Sequence, residues 1–99
     1  MGKRMNSVAT PIAGVMRIET SPHSDARGAF ARFFCEKSLA DLLGGRRVVQ
    51  INHSRSVERG TIRGMHFQHA PYAELKFVRC LRGRVWDVAV DLRAGSPTF

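Results

Sequence analysis

The sequence predicts a mostly β fold, a sandwich or barrel of short antiparallel strands with one short helix. Several runs rich in β-branched and aromatic residues recur at short intervals, and turns that contain Gly or Pro separate them. Only one stretch has the apolar spacing of a helix. With 99 residues, the chain has room for one small domain.

The chain begins with ten residues that are polar, basic and without periodicity. They predict a flexible leader over residues 1–10, followed by a single domain over residues 11–99. The first strand is predicted at residues 15–18. A segment dense in turn formers follows, in which Asp25 and Gly28 suit a tight turn.

A mostly apolar run over residues 29–36 predicts the next strand. The one helix is predicted at residues 38–43, because its three leucines form a single apolar face. Ser38 is a suitable N-cap, and the pair Gly44-Gly45 is a suitable C-terminal stop.

Beyond Arg47 the pattern is that of strands to the end of the chain. Four runs are predicted as strands: residues 48–56, 61–68, 75–81 and 85–92. Turns are predicted between them and after the last, at residues 58–60, 69–73, 82–84 and 94–97. Thr98-Phe99 is predicted to begin another strand, and the aromatic residues of these runs are predicted to lie in the core.

The formal net charge of +8 favours an anionic partner: nucleic acid, an acidic membrane surface or a phosphorylated small molecule. The basic residues are scattered, with no lysine-rich tail and no aromatic residues interleaved among them on one face, which argues against nucleic acid. An apolar stretch over residues 8–16 is interrupted by Pro11 and Gly14, so neither a membrane span nor a signal peptide is expected. Cys35 and Cys80 are predicted to be buried, reduced thiols of a cytoplasmic protein.

The candidate chemistry is concentrated at His66, which lies within the run Arg63-Gly-Met-His-Phe-Gln68, and at Lys76 ten residues later. If both face one cavity, a neutral imidazole can remove a proton beside a carbonyl and an ammonium can stabilise the resulting enolate. Arg27 and Arg63 are suited to bind phosphates. The alternative is structural: a hydrogen-bonded strand histidine and a solvated lysine.

A metal site is the other chemical alternative. The spacing of Gly60 and His66 resembles the first metal motif of the cupins, which are small jelly-roll barrels. That motif requires a second histidine where this chain has Gln68. It also requires a glutamate where this chain has Lys76, whose ammonium would repel a divalent cation. The layout is therefore cupin-like, whereas the ligand set is broken.

The chain resembles the dTDP-4-dehydrorhamnose 3,5-epimerase family, metal-free sugar-nucleotide epimerases with a cupin fold. The resemblance runs from about residue 15 to residue 99 and rests on six blocks in the family's order: Asp25-Ala-Arg-Gly28, Gln50-Ile-Asn-His-Ser54, Arg63-Gly-Met-His-Phe-Gln68, Lys76-Phe-Val-Arg-Cys80, Gly83-Arg-Val-Trp-Asp-Val-Ala-Val-Asp91 and Gly95-Ser-Pro-Thr-Phe99. It implies the N-terminal part of a cupin-type jelly-roll barrel.

The resemblance also implies a reaction, which inverts C3 and C5 of dTDP-4-keto-6-deoxyglucose without metal or organic cofactor. By match of position, His66 is the base and Lys76 the cation that stabilises the enolate. Four other residues fall on substrate-binding positions: Arg27, Gln50, Asn52 and Arg63. The implied partners are a nucleoside-diphosphate sugar and a second copy of the chain, in a homodimer that exchanges N-terminal strands.

Two departures from the family pattern qualify these expectations. Arg32 stands where the best-known members carry a nucleotide-contacting glutamate, so the nucleotide or sugar can differ. The family's domain also runs on for about as much again, and the tyrosine that returns the proton is expected there. The 99-residue chain alone is therefore expected to be weak or inactive. A 3-epimerase or keto-isomerase acting on another sugar nucleotide, and a non-catalytic cupin module, stay open as alternatives.

One local prediction follows from strand geometry. Arg63 and His66 are three residues apart, so regular alternation would point them to opposite faces of a sheet. If both line one site, Gly64 is expected to mark a bulge that disturbs the strand ladder.

Overall fold

The computed structural model describes residues 5–99, and its regular structure is mostly β. Strands β1 (Met5–Ala9) and β2 (Met16–Thr20) form one antiparallel hairpin, and strands β3 (His23–Asp25) and β4 (Gly28–Phe30) form a second. One short helix, α1 (Ala40–Leu43), follows. A mostly β chain with one helix near residues 38–43 is thus confirmed.

The first hairpin lies partly in the predicted leader. Its register pairs Met5 with Thr20 and Ala9 with Met16. The loop is closed by Thr10, whose Oγ1 donates to the Val15 carbonyl at 2.6 Å. The prediction of a loose leader is therefore wrong for residues 5–9: their backbone groups have a partner strand only six residues away, which supplies the order that periodicity did not show. Residues 1–4 of that leader lie outside the described residues.

The second hairpin confirms the turn predicted at Asp25 and Gly28. These two residues are paired in the register, and only Ala26 and Arg27 lie between them. The Arg27 backbone N–H donates to Asp25 Oδ1 at 2.9 Å, which is the local bond by which an aspartate stabilises a turn. Gly28 has a φ of +142°, a conformation that residues with a side chain rarely adopt.

Helix α1 forms around two buried leucines, Leu39 and Leu43, which are the buried hydrophobic residues of the described chain. Gly44 ends the helix in the left-handed conformation, and its N–H donates to the Ala40 carbonyl at 3.0 Å, as predicted for this stop. The prediction of Ser38 as N-cap is wrong. Leu39 occupies that position without a side-chain cap, because residues 36–39 already form a turn in which the Leu39 N–H donates to the Cys35 carbonyl.

The four runs predicted as strands beyond residue 47 are not paired in residues 5–99. Two of the predicted turns are closed by backbone hydrogen bonds: the Tyr72 N–H donates to the His69 carbonyl at 2.8 Å, and the Ser96 N–H donates to the Arg93 carbonyl at 3.1 Å. Thr98-Phe99 belongs to a further turn rather than to a strand, because the Phe99 N–H donates to the Ser96 carbonyl.

The prediction that the aromatic residues of these runs lie in the core is wrong for the described chain. Trp86 is 93% exposed, and Phe67 is more than half exposed. A strand hides its apolar face only when neighbouring strands or a second layer cover it. Within residues 5–99 these apolar side chains have no such cover.

Two sets of long-range contacts hold the later segments to the earlier ones. The Phe34 and Phe77 rings meet edge to face, with centroids 5.9 Å apart, and the Arg79 guanidinium lies 3.7 Å above the centre of the Phe33 ring. Near the other end, Arg93 Nη2 donates to the Ala13 carbonyl at 2.9 Å and so joins the C-terminal turn to the loop of the first hairpin.

Candidate functional site

The six predicted site residues are all exposed and are carried by four separate parts of the chain. Arg27 lies in the loop of the second hairpin. The others lie in segments without regular secondary structure: Gln50, Asn52, Arg63, His66 and Lys76. Among residues 5–99, none of the six donates a hydrogen bond to another of the six. The structure therefore presents the predicted groups to solvent without assembling them into one closed site.

Arg27 has a defined partner in Asp25. Its Nη2 donates to Asp25 Oδ2 at 2.7 Å, and this ion pair raises the pKa of Arg27 and lowers that of Asp25. The Arg27 side chain is nevertheless 91% exposed, so several of its five N–H donors face solvent. A guanidinium fixed on one side by a carboxylate and open on the other is suited to bind a phosphate group.

Arg63 and His66 lie in the segment predicted to contain a bulge. Arg63 Nη2 donates to Ser56 Oγ at 3.2 Å, which connects this segment to the one before it. Gly64, between them, has a φ of +127°. Because no ladder forms across residues 61–68, the bulge stays a prediction.

The His66 and Lys76 side chains have no hydrogen bond or ion pair with other residues in the described range. The neighbouring His69 ring packs edge to face on the Phe67 ring, with centroids 4.8 Å apart. His66 and Lys76 are thus available to a ligand, whereas His69 already has an aromatic partner. The structural alternative, a hydrogen-bonded strand histidine at position 66, is not what the described residues show.

Two further features of the described chain do not involve the six residues. No group of three His, Cys, Asp or Glu residues within 5–99 is placed to hold a metal ion. A cavity beside helix α1 is lined by Glu36, Ala40, Leu43, Gly45, Arg46 and Arg47. Within the described range, no helix has the length and apolar character needed to cross a membrane.

Two groups were missed by sequence reasoning. Asp91 is buried and accepts hydrogen bonds from Arg93, Ser96 and Thr98. The sequence signal that could have identified this cluster is the motif Asp-x-Arg, which occurs at residues 25–27 and again at residues 91–93.

Cys35 is half-buried, and its hydrogen bonds with Ser38 lower the pKa of the thiol to about 7. Cys80 is exposed, so the prediction of two buried thiols is wrong.

Comparison with known proteins gives one consistent result. A family model described as dTDP-4-dehydrorhamnose 3,5-epimerase matches residues 9–99. A protein of that name from Shigella flexneri is 45% identical over 96 residues, which cover 96% of this chain and 52% of the relative. A protein of the same name from Sinorhizobium fredii is 47% identical over 89% of this chain and 45% of the relative.

A further relative has a different name. A protein from Streptomyces niveus named dTDP-4-dehydrorhamnose 3-epimerase is 44% identical over 89% of this chain and 42% of its own length. The chain thus spans about half the length of the curated relatives it matches. No solved structure matches it.

Proposed function

The chain belongs to the dTDP-4-dehydrorhamnose 3,5-epimerase family, and on this premise we propose that the complete protein epimerises a nucleotide-linked 4-keto-6-deoxy sugar. By complete protein we mean the product of the full reading frame that contains residues 1–99. The proposed reaction converts dTDP-4-dehydro-6-deoxyglucose to dTDP-4-dehydrorhamnose. The observation that carries the proposal is the family match, which extends over residues 9–99 and includes both reactive side chains.

The proposed chemistry follows from the ketone. A C4 carbonyl acidifies the protons on C3 and C5, because the electron pair left on carbon is delocalised onto the carbonyl oxygen. The neutral imidazole of His66 accepts the proton, and the Lys76 ammonium stabilises the enolate oxygen. A proton returned to the opposite face of the same carbon then restores the ketone and inverts the centre. Both side chains are without polar partners in the described residues, which supports these roles.

The remaining site residues are proposed to hold the substrate. Arg27 and Arg63 each supply a guanidinium that suits the two phosphates of a nucleoside diphosphate. Gln50 and Asn52, which are exposed and two residues apart, supply amide groups that can both donate and accept hydrogen bonds. Cofactors are not part of the proposed reaction, because deprotonation by His66, stabilisation of the enolate by Lys76 and return of a proton by a second acid on the opposite face involve no electron carrier and no group carrier.

We further propose the architecture in which this chemistry takes place. Residues 11–99 form the N-terminal part of a single cupin-type jelly-roll barrel, and the complete protein is a cytoplasmic homodimer. The exposed apolar side chains of residues 48–92 support the first point, because a barrel would give them the neighbouring strands that they lack within residues 5–99.

Deuterium incorporation from solvent tests the function. The complete protein is incubated with dTDP-4-dehydro-6-deoxyglucose in D₂O, and deuterium at C3 and C5 is measured by NMR. His66→Asn is expected to slow exchange by about 10²–10⁴-fold, the usual contribution of a general base. It is expected to leave dTDP binding intact.

His69→Asn is the matched control, because His69 is also exposed and lies only three residues away. It is expected to exchange at nearly the wild-type rate. Exchange by His66→Asn at the wild-type rate would remove His66 from the mechanism. A wild-type protein that binds dTDP but shows no exchange would instead identify a non-catalytic binding module.

A second candidate is a 3-epimerase, which the Streptomyces niveus relative favours by its name. The same experiment separates the two. Deuterium at both carbons supports a 3,5-epimerase, whereas deuterium at C3 alone supports a 3-epimerase. The isolated 99-residue chain, assayed beside the complete protein, is expected to show weak exchange or none.

A further inference from the structure

A cluster of four side chains lies beside Lys76 without including it. We call the cluster of Phe33, Phe34, Phe77 and Arg79 the aromatic clasp. Phe34 meets Phe77 edge to face, with centroids 5.9 Å apart and ring planes at 85°. The Arg79 guanidinium lies 3.7 Å from the centre of the Phe33 ring, well within the range of a cation–π contact. The adjacent residues Phe33 and Phe34 therefore contact Phe77 and Arg79, which lie more than forty positions later in the chain.

Lys76 has no polar contact of its own to orient it within residues 5–99. A lysine ammonium is carried on a flexible four-carbon stem, so its position depends on where the backbone starts that stem. The contacts that fix this backbone are those of the residues one and three positions later, Phe77 and Arg79. The clasp therefore holds the backbone immediately after Lys76 in the chain.

The two-residue spacing of Phe77 and Arg79 also indicates on which face of the segment Lys76 lies. In a strand of the barrel proposed above, successive side chains point to opposite faces. Phe77 and Arg79 are two residues apart and both contact the Phe33-Phe34 pair, as side chains of one face do. Lys76 and Val78 then belong to the other face. Holding Phe77 and Arg79 against the earlier segment keeps Lys76 turned away from it.

We propose that Phe77 and Arg79 are positioning residues, which through the clasp hold the Lys76 ammonium where the enolate oxygen forms. This inference rests on the proposed function, because it assigns a purpose to the position of Lys76. It adds two residues that never contact the substrate. Enolate stabilisation depends on the distance between cation and oxygen, and a displacement of about 1 Å can cost roughly 10²-fold in rate.

Steady-state kinetics of the complete protein test the proposal. Arg79→Met removes the cation and keeps an unbranched apolar stem, and Phe77→Leu removes the ring edge. Both are expected to lower kcat by about 10- to 100-fold with little change in KM or in dTDP affinity. Arg79→Lys, which restores a cation above the Phe33 ring, is expected to recover much of the loss.

Arg84→Met is the matched control, because Arg84 is exposed and outside the clasp. It is expected to have wild-type kcat. Folded Arg79→Met and Phe77→Leu proteins with wild-type kcat would overturn the proposal. So would a loss in Arg79→Met that Arg79→Lys does not recover, since the guanidinium would then act in some way other than through the ring.

A measurement independent of activity separates this inference from the proposed function. Lysines are ¹³C-methylated, the Lys76 signal is assigned with Lys76→Arg, and its order is compared between wild type and Arg79→Met. The clasp predicts a more mobile Lys76 in the variant. Unchanged mobility overturns the positioning role even if exchange is observed, whereas a wild type without exchange overturns the function and leaves this comparison valid.

Discussion

The same three-residue motif, Asp-x-Arg, occurs in two regions of the molecule with opposite degrees of burial. At Asp25 and at Asp91, the carboxylate accepts the backbone N–H of the arginine two residues later and forms an ion pair with its guanidinium. The Asp25 side chain is 39% exposed, whereas that of Asp91 is 1% exposed. The local geometry is thus shared, and the surroundings differ.

The surroundings decide what each motif does. Asp91 also accepts hydrogen bonds from the Ser96 and Thr98 hydroxyls, and its arginine continues to the Ala13 carbonyl, so this copy joins distant parts of the chain. Among the side chains of residues 5–99, Arg27 alone holds the Asp25 carboxylate, and most of that guanidinium faces solvent. One copy therefore serves the fold, and the other leaves an arginine open to a ligand.

The largest expected difference is in thermal stability. Asp91→Asn replaces the shared acceptor of three side chains with a neutral amide that also places N–H donors against Arg93. We expect the Tm of the complete protein to fall by roughly 4 °C or more, because one kilocalorie per mole corresponds to about 2–4 °C in a domain of 150–250 residues. Asp25→Asn, the same change in an exposed turn, is expected to shift Tm by about 2 °C or less. Equal shifts would show that burial does not separate the two motifs.

A smaller difference is expected in the pH dependence of stability. Hydrogen bonds from Arg93, Ser96 and Thr98 hold the pKa of Asp91 far below its ordinary value of 3.8, and Arg27 lowers that of Asp25. Below about pH 4 the unfolded chain then binds protons that the folded chain does not, so stability is complete above pH 3.8 and declines as pH falls.

Thermal unfolding at pH 7 and at pH 3 measures this decline. Asp91→Asn is expected to reduce the difference in Tm between the two pH values, because its folded and unfolded states no longer differ at that site. Asp25→Asn is expected to reduce the difference less. A decline that neither substitution alters would show that other carboxylates control acid unfolding.

The smallest difference is local to the first hairpin. Arg93→Lys keeps a cation beside the buried Asp91 carboxylate but lacks the guanidinium Nη2 that donates to the Ala13 carbonyl, so hydrogen exchange of residues 5–20 is expected to accelerate by about 5- to 10-fold, the equivalent of one hydrogen bond. Arg27→Lys is the matched control and is expected to leave that exchange unchanged while weakening dTDP binding. Acceleration in both variants would contradict a specific role for Arg93.

Local signals predicted the parts of the fold whose partners are near in sequence. The turn at Asp25 and Gly28 formed because an aspartate can bond the backbone two residues on, and helix α1 ended at Gly44 because glycine adopts the left-handed conformation. Ser38 did not become the N-cap because the preceding turn had already started. The strand over residues 5–9 was missed because its own residues show no strand pattern, and only its pairing with a neighbouring strand identifies it.

The alternating patterns in residues 48–92 are equally clear signals, yet these residues form no paired strands. Alternation specifies which face of a strand is apolar, but it does not specify which element covers that face. The candidate site shows the same limit. The sequence supplied His66, Lys76 and the residues proposed to bind the substrate, and these side chains lie exposed without a hydrogen bond between them within residues 5–99. Their assembly depends on strand neighbours that no local pattern specifies.

The sequence by itself determined the family, the turns, the end of the helix and the residues that carry the proposed chemistry, because each depends on residue type at fixed spacing. Only the tertiary structure distinguished Asp25 from Asp91, identified the hairpin over residues 5–20 and placed Phe33 and Phe34 against Phe77 and Arg79. Burial and contacts with other segments decide these features, and the residue pattern of a single segment specifies neither.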